Sequence, residues 1–239
     1  MKKIYSVILA TFLAASASAQ DAKFVKVTEE PSDWSGEYLI VYEADDDNNV
    51  AYVFNGGLDD LDTKGNFFEA SNPKEDIDGV EVRAISSSAK VDGATFTVAK
   101  STATDGKYYI QSKSGYWIGY NSTTPDPESG EIEPDLKASN EKQYDNDIAL
   151  AEGSSSVVVA AKNGFELRFN NDSGKQRFRY HASGKKKAIK FYKKTEAAAI
   201  TNVTAEATPS VRHDLSGRQV QNLKPGMLYI QNNKKFIAK

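Results

Sequence analysis

Aromatic and β-branched residues alternate with polar ones along most of this chain, in runs too short for helices and closed by glycine turns. Residues 106–120 show the pattern best. Tyr108 and Ile110 alternate with Tyr109 and Gln111; past Ser114-Gly115, Tyr116, Ile118 and Tyr120 alternate with Trp117 and Gly119. Two such runs about a short polar turn predict a β-hairpin with one face toward a core and the other toward solvent or a neighbouring layer. Further runs fall at 24–27, 34–42, 50–54, 80–85, 95–98, 148–150, 157–160, 165–169, 177–180 and 188–192, punctuated by Asp-Gly, Asn-Gly, Ser-Gly and Gly-Lys turns. No long segment keeps a 3.6-residue period. The prediction is an all-β domain of about twelve short strands.

The runs also repeat weakly. Phe24-Val-Lys-Val leads to Gly36-Glu-Tyr-Leu-Ile, Thr95-Phe-Thr-Val to Gly106-Lys-Tyr-Tyr-Ile, and Val157-Val-Val-Ala to Gly164-Phe-Glu-Leu-Arg. Three units of about four strands each predict a β-trefoil-like arrangement; a β-sandwich or irregular barrel without threefold symmetry is the alternative. Residues 125–130, Pro-Asp-Pro-Glu-Ser-Gly, read as a solvated loop between strands.

The ends differ from the middle. Lys2 and Lys3, an apolar run from Ile4 to about Ala15, and Ala17-Ser18-Ala19 before Gln20 have the three parts of a secretory signal peptide over 1–19. The apolar run falls short of the ~20 residues a spanning helix needs, and no transmembrane segment is expected. The all-β domain then occupies 20–195 and an Ala/Thr-rich linker 196–208. The tail, 209–239, reads as a small three-stranded meander with Ser-Gly, Pro-Gly and Asn-Asn turns.

That tail carries Asp214-Leu-Ser-Gly217-Arg218-Gln-Val, then Gly226-Met-Leu-Tyr229-Ile, then Asn232-Asn-Lys234-Lys235-Phe-Ile-Ala-Lys239. In this combination it resembles a type IX secretion C-terminal sorting domain, over the last thirty or so residues. Asn233 departs from the glycine usual in the turn before the paired lysines. The resemblance implies a secreted or outer-membrane-surface protein that engages the secretion machinery through its tail. The main domain is similar to β-rich modules of secreted proteins from the same bacteria, in its opening Gly-x-Tyr-x-Ile and its closing runs at 167–170, 177–180 and 190–193. This implies context rather than an activity.

Composition narrows the chemistry. Hydrophobic residues make up 39% and aromatics 10%, which suits a globular β domain, and the net charge of −3 selects no partner. The chain has no cysteine, hence no disulfide and no thiolate site. It has two histidines, His181 and His213, and no metalloprotease, nucleophile-elbow or phosphate-loop motif. The reading is a non-catalytic protein with no cofactor and no metal site. Asp45, Asp47 and Asn49 begin like a calcium loop, but Val50 and Gly56 stand where that loop needs its glycine and glutamate.

Two sets of binding candidates remain. Tyr109, Gln111, Trp117, Tyr120 and Asn121, with Trp34 and Asp105, offer rings to stack on sugars and groups to bond hydroxyls. Core burial is the competing expectation for every ring, for Trp34 and Trp117 above all. Arg168, Arg177, Arg179, Lys187 and Lys190 interleave with aromatics as in nucleic-acid binders, but alternation alone would send charges outward and rings inward. The reading is a monomeric, extracellular ligand-binding module for a glycan or surface polymer. The alternatives are an adhesive protein that contacts other proteins, or a nucleic-acid-binding accessory, which is disfavoured.

Overall fold

In the computed structural model, residues 22–44, 49–77, 79–195, 212–213, 225, 228–231 and 234–237 are described. The signal-peptide residues, the acidic turn at 45–48 and the linker at 196–208 lie outside them, as do Gly217, Arg218, Gly226 and Lys239. Two compact units divide the chain, Gln20–Ala197 and the remainder, Met1–Ala19 with Ala198–Lys239.

The regular structure of the larger unit is nearly all strand. In order it contains β1 (Lys23–Lys26), β2 (Gly36–Glu43), β3 (Val50–Phe54), β4 (Phe67–Ser71), β5 (Lys74–Ile77) and β6 (Val80–Ser86). A short helix, α1 (Ala89–Gly93), the only one among the described residues, follows, and then β7 (Phe96–Lys100), β8 (Tyr108–Ser112), β9 (Trp117–Gly119) and β10 (Lys137–Ser139). The unit ends with β11 (Asn146–Leu150), β12 (Val157–Ala161), β13 (Glu166–Asn170), β14 (Arg177–His181) and β15 (Lys190–Thr195). All fifteen strands share one antiparallel sheet. The hairpin expected at Ser114-Gly115 joins β8 to β9, with Gly115 at φ +94°, a region glycine enters without steric cost.

The pairing has a definite order. β2 pairs β7, β7 pairs β8, β8 pairs β11, and β11 pairs β12. Val157 of β12 bridges Ile189, the residue before β15, and β15 pairs β2. β2, β8 and β12 each run on into a further hairpin: β3–β4, β9–β10 and β13–β14. Gly36–Ile40 and Gly106–Ile110 thus open strands with like places in the pairing. Gly164-Phe-Glu-Leu-Arg does not, since it enters β13, one strand later.

The alternation sorts side chains into two cores. Tyr38 and Ile40 of β2 join Trp34, Phe54, Phe96, Val98, Ile110, Ile118, Val159, Phe169, Phe178, Tyr180 and Phe191 in the main one. Leu39 and Val41, on the other face of β2, pack with Phe24, Ala51, Val53, Ile85, Val91 and Tyr192. Burial on both faces explains why Tyr38-Leu-Ile-Val is an unbroken apolar run. Buried asparagines tie the hairpins together. Asn66, before β4, donates to Leu61 O (2.7 Å) and Phe178 O (3.0 Å) and accepts from Phe178 N (2.8 Å), serving β14 as a strand would. Asn146 accepts from the Tyr180 hydroxyl (2.7 Å) and donates to Ile118 O (3.2 Å).

In the other unit, β16 (Arg212–His213), β17 (Leu228–Gln231) and β18 (Lys234–Ile237) form a three-stranded antiparallel sheet. Tyr229 pairs Phe236 there, and Lys234 and Lys235 open β18.

Candidate functional site

The site begins with the outward side of β8 and β9. Ile110 faces the main core, so Tyr109 and Gln111 face the other way, and Gln111 is paired across the hairpin with Trp117. Trp117 is half-buried, against the expectation of a core position; Trp34, at 2% exposed, is the core tryptophan. The difference follows from register, because Ile118 takes the inward place on β9 and turns Trp117 out. The Tyr109 and Trp117 rings meet edge to face at 5.8 Å. Two residues on, Gly119 lets Tyr144 lie across the strand, where a Cβ on residue 119 would fall 2.2 Å from Tyr144 Cβ.

A turn closes over one side of this shelf. Ala103 N donates to the Tyr109 hydroxyl (3.2 Å), and Ser101 Oγ and Thr104 Oγ1 donate to the two oxygens of Asp145 at 2.6 and 2.7 Å. Hydrogen bonds led by Ser101 hold the Tyr109 phenol below its ordinary pKa. Beside the turn is a depression of about 260 Å³ lined by Thr104, Lys107, Asp145, Asp147 and Lys162. Lys107 pairs with Asp147, while Lys162, just beyond β12, is exposed. The arrangement offers a half-exposed indole and a polar hollow with hydroxyl, carboxylate and ammonium groups.

Of the first set of candidates, Tyr109, Gln111 and Trp117 therefore come together, but Tyr109 is itself buried at 5% exposed and backs the Trp117 ring rather than offering a face of its own. Gln111 is tied to its own hairpin through Gly115 O at 3.0 Å. Tyr120 does not join them. It is 3% exposed, packs against Phe165 at 5.1 Å, and donates to Glu133 O at 2.5 Å. Its position, one step of alternation from Gly119, sends it into the core. Asn121 follows it at the surface, and Asp105 accepts from Gly106 N within its own turn. Thr104, Lys107, Tyr144, Asp145, Asp147 and Lys162 were not singled out from sequence, since only the β8–β11–β12 pairing gathers them.

Four of the five basic candidates have partners. Arg168 pairs Glu166, Arg177 and Arg179 both approach Asp62, and Arg179 also reaches Asp135 at 3.2 Å. Burial pushes the Asp62 carboxyl up against the pull of Arg179 and Arg177. Lys190 donates to Ser155 and Ser156, and Lys187 is exposed. Phe169, Phe178, Tyr180 and Phe191, the rings interleaved with these cations, are fully buried. Among the described residues no group of three or more His, Asp or Glu is placed to hold a metal ion, and no helix is long and apolar enough to cross a membrane.

No family model matches this chain, and no curated protein or solved structure does.

Proposed function

We propose that this protein is an exported, non-catalytic, β-trefoil-like module that binds glycan across the Trp117–Tyr109 shelf and the neighbouring hollow. The trefoil reading is supported by the pairing path through β2, β7, β8, β11, β12 and β15, and by the three hairpins that leave β2, β8 and β12. Delivery to the cell surface rests on the amino-terminal signal pattern and the sorting-like tail.

The observation that carries the ligand class is the half-buried Trp117 against Tyr109, whose hydroxyl accepts from the turn leading to Thr104 at the edge of a hollow of hydrogen-bonding groups. An indole face takes the apolar C–H side of a sugar ring, and polar side chains at its edge take the hydroxyls. Asp145 is engaged by two hydroxyls and Asp147 by an ammonium. This arrangement suits fixed hydrogen bonding better than proton transfer, which favours binding over hydrolysis.

The test is a screen of the purified full chain against bacterial, plant and host polysaccharides, with Trp117→Ala alongside. Saturable binding to one glycan class is expected. The variant should lose about 2 kcal/mol of it, roughly thirtyfold, as an aromatic anchor does. Absence of binding to every polysaccharide would leave the adhesive, protein-contacting reading as the better account.

A further inference from the structure

The hollow beside the turn that caps Tyr109 has an uneven charge inventory. Its two carboxylates are both engaged: Asp145 accepts from Ser101 and Thr104, and Asp147 is paired with Lys107. Its second ammonium, that of Lys162, is exposed and has no hydrogen-bond or ion-pair partner among the described residues. The Lys107–Asp147 pair cancels, Asp145 keeps its charge but has a hydroxyl donor on each oxygen, and the group left without a bonding partner is the Lys162 ammonium. Lys162 is placed there by the fold. It follows Ala161, which pairs with Asn146, so the ammonium is carried next to the strand that bears Asp145 and Asp147.

We infer that the glycan bound at this face is acidic, with a sugar carboxylate on the Lys162 ammonium and the ring against Trp117. The inference rests on the glycan reading above. A neutral sugar would leave the ammonium to water, whereas an anionic one gains a charge-assisted hydrogen bond at a place where protein carboxylates are already committed. The two acids also discriminate. A polycation meets carboxylates that have donors and an ammonium that repels it.

The test measures binding of the full-length protein to polygalacturonate and to its methyl-esterified form, which has the same backbone without the charge. The wild type should prefer polygalacturonate by about tenfold or more, and the preference should shrink as salt is raised from low to physiological strength. Lys162→Gln should abolish the preference, bringing polygalacturonate down to the level of the methyl ester. Lys162→Arg should restore it, and Trp117→Ala should weaken both polymers alike. Equal binding of the two polymers, or a Lys162→Gln variant that keeps the preference, would overturn the acidic-ligand inference and leave the glycan reading standing. Failure to bind any polysaccharide in the wider screen would remove both.

Discussion

At the scale of single residues, places where a side chain is forced or denied make the sharpest predictions. A Cβ at position 119 would lie 2.2 Å from Tyr144 Cβ, and this contact involves a rigid part of the side chain close to the backbone. Gly119→Ala should therefore cost about 1–3 kcal/mol in urea unfolding, the range for overpacking, and should displace Tyr144 from the shelf. His181 gives a pH dependence. Burial holds it down to about 4, helped by Lys186, Arg179 and Arg177, and its Nε2 has no partner. The imidazole is then neutral in the fold but takes up a proton near pH 6.5 when the chain unfolds. Stability should be full above about pH 6.5 and fall as the pH drops toward 4, by up to about 3 kcal/mol. His181→Gln should flatten that interval in unfolding curves measured from pH 7 to 4. The lowered pKa of Asp33, about 2, acts below this window and does not confuse it.

At the scale of elements, the hairpins are joined by buried asparagines as well as by apolar packing. Asn66 satisfies both backbone groups of Phe178 and the carbonyl of Leu61, at full burial. Asn66→Ala would orphan those groups, and about 3 kcal/mol of destabilisation is expected. Asn66→Asp should do no better, because a carboxylate supplies no donor for the two carbonyls. Elements also differ in how far the sequence reveals them. β14, Arg-Phe-Arg-Tyr, was legible because alternation and burial coincide over those residues, and β2 because its apolar run is unbroken. β5, Lys-Glu-Asp-Ile, and β10, Lys-Ala-Ser, were not, since each is a polar segment whose strand state comes from pairing with β6 or β9. α1 is held by a local device, the Ser88 side chain accepting from Val91 N, and is too short to show a period. The outward turn of Trp117 was hidden too, because a tryptophan beside three tyrosines reads equally well as core.

At the scale of the whole larger unit, the chain closes on itself through its terminal strands. β1 pairs β15, and β15 pairs β2, so the first and last strands of the unit lie side by side. Tyr192 of β15 donates to Glu43 (2.6 Å) and accepts from Asn72 (2.8 Å), adding a polar clasp inside the second core. The same connectivity assembles the shelf. Trp117 and Tyr109 come from one hairpin, but the hollow beside them needs β11 and the end of β12. Sequence reasoning reached the first part and missed the second for that reason. Local pattern exposes neighbours in a hairpin, whereas Asp145 and Lys162 meet Lys107 and Thr104 only once distant strands pair.

The most direct measurement is an NMR titration that follows the two indole N–H resonances, one from each tryptophan in the chain. Trp34 is buried and donates to Glu30 at 3.0 Å, so its resonance serves as an internal control. Adding an oligosaccharide of the polymer that binds in the polysaccharide screen should move the resonance that disappears in Trp117→Phe and leave the Trp34 resonance in place. A titration in which neither resonance moves, or in which binding occurs and only the Trp34 resonance shifts, would contradict a glycan site on the Trp117 face.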